Sequence, residues 1–287
     1  MKALVPVLTV LAAILALWYL GSVLMNRQWT YDQAARAGVE VSLGEVVADT
    51  MHQERPVLPA PHQVASGLWE GLFGQKVTSK RSLVYHGWVT LEATLLGFVI
   101  GTGLGILLAV GIVHNRAMDL SVMPWAIASQ TIPILAIAPM VIVVLASLGI
   151  TGLLPKSIIS AYLSFFPVVV GMVKGLRSPD AMQLDLLKTY SASRGETFWK
   201  LRLPASMPYL FASLKVSVAA SLVGAIVGEL PAGATAGLGA RLLSGSYYGQ
   251  TVQIWAALFT AALLAAGLVV LIGGIERATL RRMGMAR

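Results

Sequence analysis

The residues that could carry chemistry are few and scattered. Glu229 sits in an apolar run, in Val-Gly-Glu-Leu-Pro between Gly228 and Pro231, and Glu92 sits near the start of another. A carboxylate at membrane depth is costly, which makes it a functional candidate by default. Both lie close to the end of their run, so reaching out to water is the alternative, and it suits Glu92 better than Glu229. Ser129, Gln130 and Thr131 form a polar group in the middle of a third run. An amide in hydrocarbon is costly without a partner, so Gln130 and Thr131 either line a solute pathway or bond a neighbouring helix. The longest polar break runs from Asp185 to Pro204. On a helix Leu184, Leu187, Tyr190 and Ser191 share one face, followed by Phe198 and Leu201, while Lys188, Arg194, Lys200 and Arg202 supply positive charge. Ser191, Ala192, Ser193, Arg194 and Gly195 are mostly small and suit a turn. Such a segment docks, on lipid headgroups or on a partner.

Several chemistries are absent. No Gly-x-x-x-x-Gly-Lys-Ser/Thr phosphate loop occurs. His52, His62, His86 and His114 lack metal-ligand spacing, and no Ser/His/Asp set is recognisable. There is no cysteine, hence no disulfide or thiolate site. No ladder of charges suggests a proton relay or voltage sensor. If transport is active, the energy must enter from a partner.

The elements that hold these residues follow from hydropathy. The 287 residues are 56% apolar and 12% charged, about half the charge of a soluble domain. The apolar runs are continuous, unlike the alternating segments of a β-barrel. The fold class is therefore all-α, a polytopic helical membrane protein with six spans: Leu4–Met25, Trp88–Val113, Val122–Leu148, Lys156–Val173, Leu210–Leu230 and Thr251–Ile275. The division expected is a first helix over 1–25, an external segment over 26–85, and a core of five spans over 86–287 with a loop at 174–209. Lys2 before the first run raises a signal peptide, but no cleavage site follows it, so an uncleaved span is expected.

Basic residues orient the chain. With the N-terminus inside, the inner segments hold Lys2, Arg116, Lys174, Arg177, Lys188, Arg194, Lys200, Arg202 and the tail's Arg277, Arg281, Arg282 and Arg287, while the short outer loops hold Lys156 and Arg241. Both termini are thus expected to be cytoplasmic. The net charge of +8 fits this bias, and no nucleic-acid partner is called for. Pro56, Pro59 and Pro61 force an extended entry to a short helix over Gln63–Phe73, suited to the membrane interface or to packing on the bundle. Gly97, Gly101 and Gly105, at four-residue spacing, make a stripe where another helix can approach closely. Pro124, Pro133 and Pro139 bend the third span, and Lys215 is placed to reach the inner headgroups.

The pattern Asp185-Leu-Leu-x-x-x-Ser191-Ala-Ser, then Leu203-Pro-Ala-Ser-Met-Pro208, resembles the Glu-Ala-Ala…Gly…Leu-Pro loop of ATP-binding-cassette (ABC) importer permeases. Asp185 stands for the Glu, Leu186 and Leu187 for the two Ala, and Ser191 for the Gly. Leu58–Val64 and Gly237-Leu-Gly239 fit the same plan, and the likeness covers nearly the whole chain. It is nearest the nitrate/sulfonate/taurine branch. Within that branch Met123–Pro139 and Val227–Ala234 resemble a subgroup assigned to uptake of pyrimidines or their precursors.

The resemblance implies the type I importer fold in a bacterial inner membrane, with no catalysis by this chain. Two permease subunits, identical or homologous, would enclose the pathway. A cytoplasmic ATPase dimer would hold ATP and Mg, with no cofactor on this chain, and an external binding protein would deliver solute. Asp185, Leu187 and Ser191–Gly195 would meet the ATPase; Ser129, Gln130, Thr131 and Glu229 would face solute. An ion-coupled secondary transporter is the alternative, but it predicts inverted repeats and clustered carboxylates. A membrane-embedded enzyme would need convergent polar groups at one depth.

Overall fold

The long apolar runs cannot leave backbone groups unpaired in lipid and so form helices. A computed structural model describes residues 4–231 and 234–285. Lys2, Arg287 and, within the Val227–Ala234 pattern, Ala232 and Gly233 lie outside the described residues. The helices are α1 (Leu4–Ala37), α2 (Leu43–Thr50), α3 (Pro61–Trp69), α4 (Leu83–His114), α5 (Arg116–Ser129), α6 (Ile134–Ser147), α7 (Leu153–Leu176), α8 (Ala181–Thr189), α9 (Arg194–Thr197), α10 (Leu203–Gly228), α11 (Leu238–Tyr247) and α12 (Thr251–Arg282). Among the described residues five helices are long and apolar enough to span a membrane, and the pair α5–α6 makes a sixth if its bend is counted within one span.

The chain divides into two compact units, Met1–His86 with Ala240–Thr260, and Gly87–Gly239 with Ala261–Arg287. In the first unit α1 runs well past Met25. Buried Asn26 is the reason: its amide donates to the Leu58 carbonyl at 2.8 Å and accepts from the Val57 N–H at 2.7 Å. This polar residue does not end the helix because it is paired against the extended proline segment. Ser22 also donates to Leu58, and the Trp18 indole donates to Pro59 and packs on Trp255. The helix ends at Gly38, whose φ of 67° closes the last turn. Pro61 occupies the first turn of α3, where its missing N–H costs nothing.

In the second unit α4 lies against one side of α7. A Cβ on Gly97, Gly101 or Gly105 would come within 2.7, 2.8 and 2.8 Å of the carbonyls of Ser157, Ala161 and Phe165. The four-residue steps of the two helices are in register. α7 also meets α10 through Gly171, Gly175, Gly224 and Gly228, each too close to the neighbouring helix to carry a side chain without a shift. Ala109, Ile112, Val169, Met172, Val173 and Leu176 form a buried apolar core at one end.

Three sequence expectations change. The third span is two helices meeting at 98° across residues 130–133. Pro133 caps α6 instead of kinking a continuous helix, while Pro124 and Pro139 lie inside α5 and α6. The Tyr162 hydroxyl of α7 donates to the Ser129 carbonyl at the break. Second, the fifth span begins well before Leu210. Residues Phe198–Arg202 form a widened turn in which the Leu203 N–H reaches back five residues to Phe198, and that turn makes room for a proline ring in a helix running from Arg194 to Gly228. Third, Lys215 pairs with Glu276 of α12 instead of reaching for headgroups.

Candidate functional site

The polar break is a sharp elbow between two helices. At the base of α7, Arg177 pairs with Asp119 at 2.8 Å. Residues 178–180 then release the chain into α8, whose Leu184 and Leu187 are half-buried. Met182, Leu186 and Tyr190 are exposed at 83%, 56% and 77%; large apolar groups so displayed call for a partner surface. Asp185 and Lys188 pair at 2.8 Å on the exposed side.

The turn after α8 depends on Ser191. Its φ of 54° is the only positive value at a non-glycine position among the described residues. That geometry lets the Ser191 and Ala192 N–H groups donate to Lys188 and Leu187, closing the helix end. Two residues later Ser193 opens the next helix. Its N–H donates to the Glu196 carboxylate at 2.9 Å while its hydroxyl accepts from the Glu196 N–H at 3.2 Å, a reciprocal cap. Lys200 pairs with Glu196 at 3.0 Å. Arg194 and Gly195 are exposed. Phe198 then meets His114 edge to face and packs on the core that contains Leu176. Arg202 donates to the Leu176 carbonyl at 3.0 Å. The elbow is exposed, yet rooted in α4, α7 and α10. The expected continuous face is interrupted: Leu184 and Leu187 belong to α8, whereas Phe198 and Leu201 lie beyond the turn.

Glu229 is the other centre. It is fully buried at the end of α10. Its carboxylate accepts from the Thr90 hydroxyl at 2.9 Å and the Gly239 N–H at 3.0 Å, with the Lys156 ammonium 3.7 Å away. Lys156 also donates to the Ala236 carbonyl, and the Leu238 N–H donates to Thr90. One carboxylate thus ties α4, α7 and the 234–239 turn together. Gly237 has φ of 118°, and a Cβ there would overlap the Glu229 carboxyl. The Gly237-Leu-Gly239 sequence therefore serves close approach. Glu92 is exposed.

Gln130 donates to Ser129 at 3.2 Å, and Thr131 donates to Ala128. Among the described residues neither shares a hydrogen bond with Glu229, so the polar residues of the spans do not converge on one site. The serines went unread in the sequence. Ser160 bonds Ser221, Ser221 donates to the Thr94 carbonyl at 2.8 Å, and Ser217 donates to the Ser164 carbonyl at 2.6 Å. The signal was available as four-residue spacing in Ser160–Ser164 and Ser213–Ser217–Ser221. Tyr162 carries no comparable pattern.

Spanning helices with a rooted elbow and a sealed internal carboxylate mark a polytopic membrane protein. Residues 101–285 match the family described as binding-protein-dependent transport system inner membrane component, and the chain belongs to that family: it is the permease subunit of an ABC importer. It is 31% identical to the riboflavin transport system permease protein RibX of Chloroflexus aurantiacus, over 78% of this chain and 80% of that one. It is 30% identical to the formylaminopyrimidine transport permease protein ThiX of Halalkalibacterium halodurans, over 64% of this chain and 68% of that one. Among solved structures it resembles the inward-facing MetNI methionine ABC transporter, with a TM-score of 0.53 at 18% identity, covering 76% of this chain and 96% of that one. At that identity the likeness speaks for the fold.

Proposed function

We propose that this permease works as one of a pair, identical or homologous, and that the elbow at 181–202 transmits the motion of a cytoplasmic ATPase dimer to the pathway. The observation that carries the reading is the elbow's construction: exposed apolar groups on α8, a reciprocal cap at Ser193 and anchors at Phe198 and Arg202. A surface so exposed, on a base so packed, can move as a lever. ATP and Mg belong to the partner ATPase, and an external binding protein delivers the solute. Nucleotide binding then biases one of two states of the bundle, and hydrolysis releases it. Both termini and the elbow face the cytoplasm, in keeping with the basic residues of the inner segments.

Asp185, Leu187 and Ser191–Gly195 form the ATPase contact in this reading. Ser129, Gln130 and Thr131 border the pathway at the α5–α6 break, and Glu229 holds the turn at its far end. The cargo is a small polar nitrogen heterocycle of the pyrimidine or pyrimidine-precursor class. The riboflavin and formylaminopyrimidine permeases among its relatives support that class, with sulfonate, taurine or nitrate carried on the same fold as the second reading.

The test is reconstitution with a co-purified ATPase subunit and the binding protein. Arg194→Glu is expected to lower binding-protein-stimulated ATP hydrolysis at least about tenfold, an effect of one lost charge-assisted contact, with unchanged membrane insertion. Full stimulation in that variant counts against the elbow. Uptake driven by an ion gradient with no ATPase present would overturn the importer mechanism.

A further inference from the structure

The first unit contains a polar cavity of about 580 Å³, a size typical of small-molecule sites. Its floor is built by close helix approach. A Cβ on Gly67 would meet Val252 at 2.7 Å, and one on Gly71 would meet Leu83 at 2.5 Å. Leu83 and Ala256 are buried beneath it. Arg55, Arg81 and Arg241 line the cavity with Gln250 and Gln253.

Positive charge exceeds negative in this cavity. Glu54 and Glu70 line it too, yet the ion pairs among the described residues involve none of the three arginines. Arg241 is half-buried, and its Nε is enclosed without a hydrogen-bond partner. Burial, and then the neighbouring charge of Arg81, pull the Arg241 pKa below its usual value. A half-buried guanidinium near a second positive charge is costly unless something anionic joins them. A second feature has the same sign. Gln250 lines the cavity just before α12, and Val252 and Gln253 line it in the first turn of that helix, where free N–H groups and the helix dipole favour negative charge.

We propose that this cavity binds a small organic anion, through one carboxylate or sulfonate group held by Arg241 and Arg81 at the start of α12. The planar guanidinium fork suits a two-oxygen acceptor, and Gln250 and Gln253 offer amides to the rest of the solute. The concave walls and buried floor fit a small molecule better than the flank of a protein. The site shares no residue with the elbow or with the pathway residues named above.

The test is equilibrium dialysis of the full-length chain in lipid nanodiscs against radiolabelled methanesulfonate, with ionic strength held by chloride and acetate as competitor. Saturable binding is expected. Arg241→Gln and Arg81→Gln should each weaken it about tenfold or more, the scale of one charged hydrogen bond, while Arg277→Gln leaves it unchanged. Arg81 is exposed, so its variant reports even if the Arg241 variant folds poorly. Displacement by acetate marks a carboxylate site, and none marks a sulfonate site. No saturable binding, or equal binding in wild type and Arg81→Gln, overturns the proposal.

Discussion

The contact between α4, α7 and α10 and the elbow after α8 solve opposite problems. In the first, three helices close to within the width of a hydrogen atom on Cα, and serine hydroxyls bond across the gap, as in Ser160–Ser221 and Ser217–Ser164. In the second, Met182, Leu186 and Tyr190 face outward and the chain satisfies its own ends through Ser191 and Ser193. Lipid offers little hydrophobic drive between helices, so close packing and polar stitches must hold them. The elbow can spend its apolar groups on a partner because its backbone needs nothing from one. A stiff core with a self-capped projection is what a lever requires.

If that contrast holds, changes in the core should cost far more than changes at the elbow. The largest effect is expected at Glu229. Glu229→Ala removes the acceptor for Thr90 and Gly239 and strands the Lys156 ammonium. Losing one partner of a buried pair costs about 3–5 kcal/mol; Lys156 retains some exposure (15%), so about 2–3 kcal/mol is expected, read as a lower melting temperature of the purified protein in detergent. Glu229→Leu combined with Lys156→Met should recover part of the loss. Failure to see any drop in the single variant would mean that the carboxylate is not structural.

Next comes the glycine seam, where neighbouring positions on one helix should behave oppositely. Gly101→Ala places a Cβ 2.8 Å from the Ala161 carbonyl, and overpacking of this kind costs about 1–3 kcal/mol. Gly103 has no atom within 4 Å of its added Cβ, so Gly103→Ala should gain up to about 1 kcal/mol from helix propensity. Equal melting shifts in the two variants would remove the seam as an explanation.

Much of this architecture can be read directly from residue spacing. The four-residue step of Gly97, Gly101 and Gly105 and the Leu-Pro end of the polar break are local patterns, and local patterns survive without coordinates. The 98° break between α5 and α6 is different. Proline signals a bend but not its angle, which depends on the distant Tyr162 holding Ser129. The extension of α1 past Asn26 likewise needs Leu58, a partner some thirty residues away. Glu229 stands out in the sequence as an acid in an apolar run, but its partners Thr90, Lys156 and Gly239 come from three elements that no spacing connects.

The smallest expected effect is at Ser191, and it has the opposite sign. A β-carbon in the left-handed region costs roughly 1 kcal/mol, and glycine enters that region freely. Ser191→Gly should therefore tighten the elbow by about 0.5–1 kcal/mol, the usual gain when a strained position is relieved less the added freedom of the unfolded chain. A shift this local belongs in hydrogen exchange: the amides of Ser191 and Ala192, bonded to Lys188 and Leu187, should exchange more slowly. Ser191→Pro should do the reverse, since proline cannot reach φ of 54° and removes one of those two donors. If glycine instead speeds exchange, the serine is contributing more than a tolerated strain, and the elbow owes its shape to that side chain rather than to its caps.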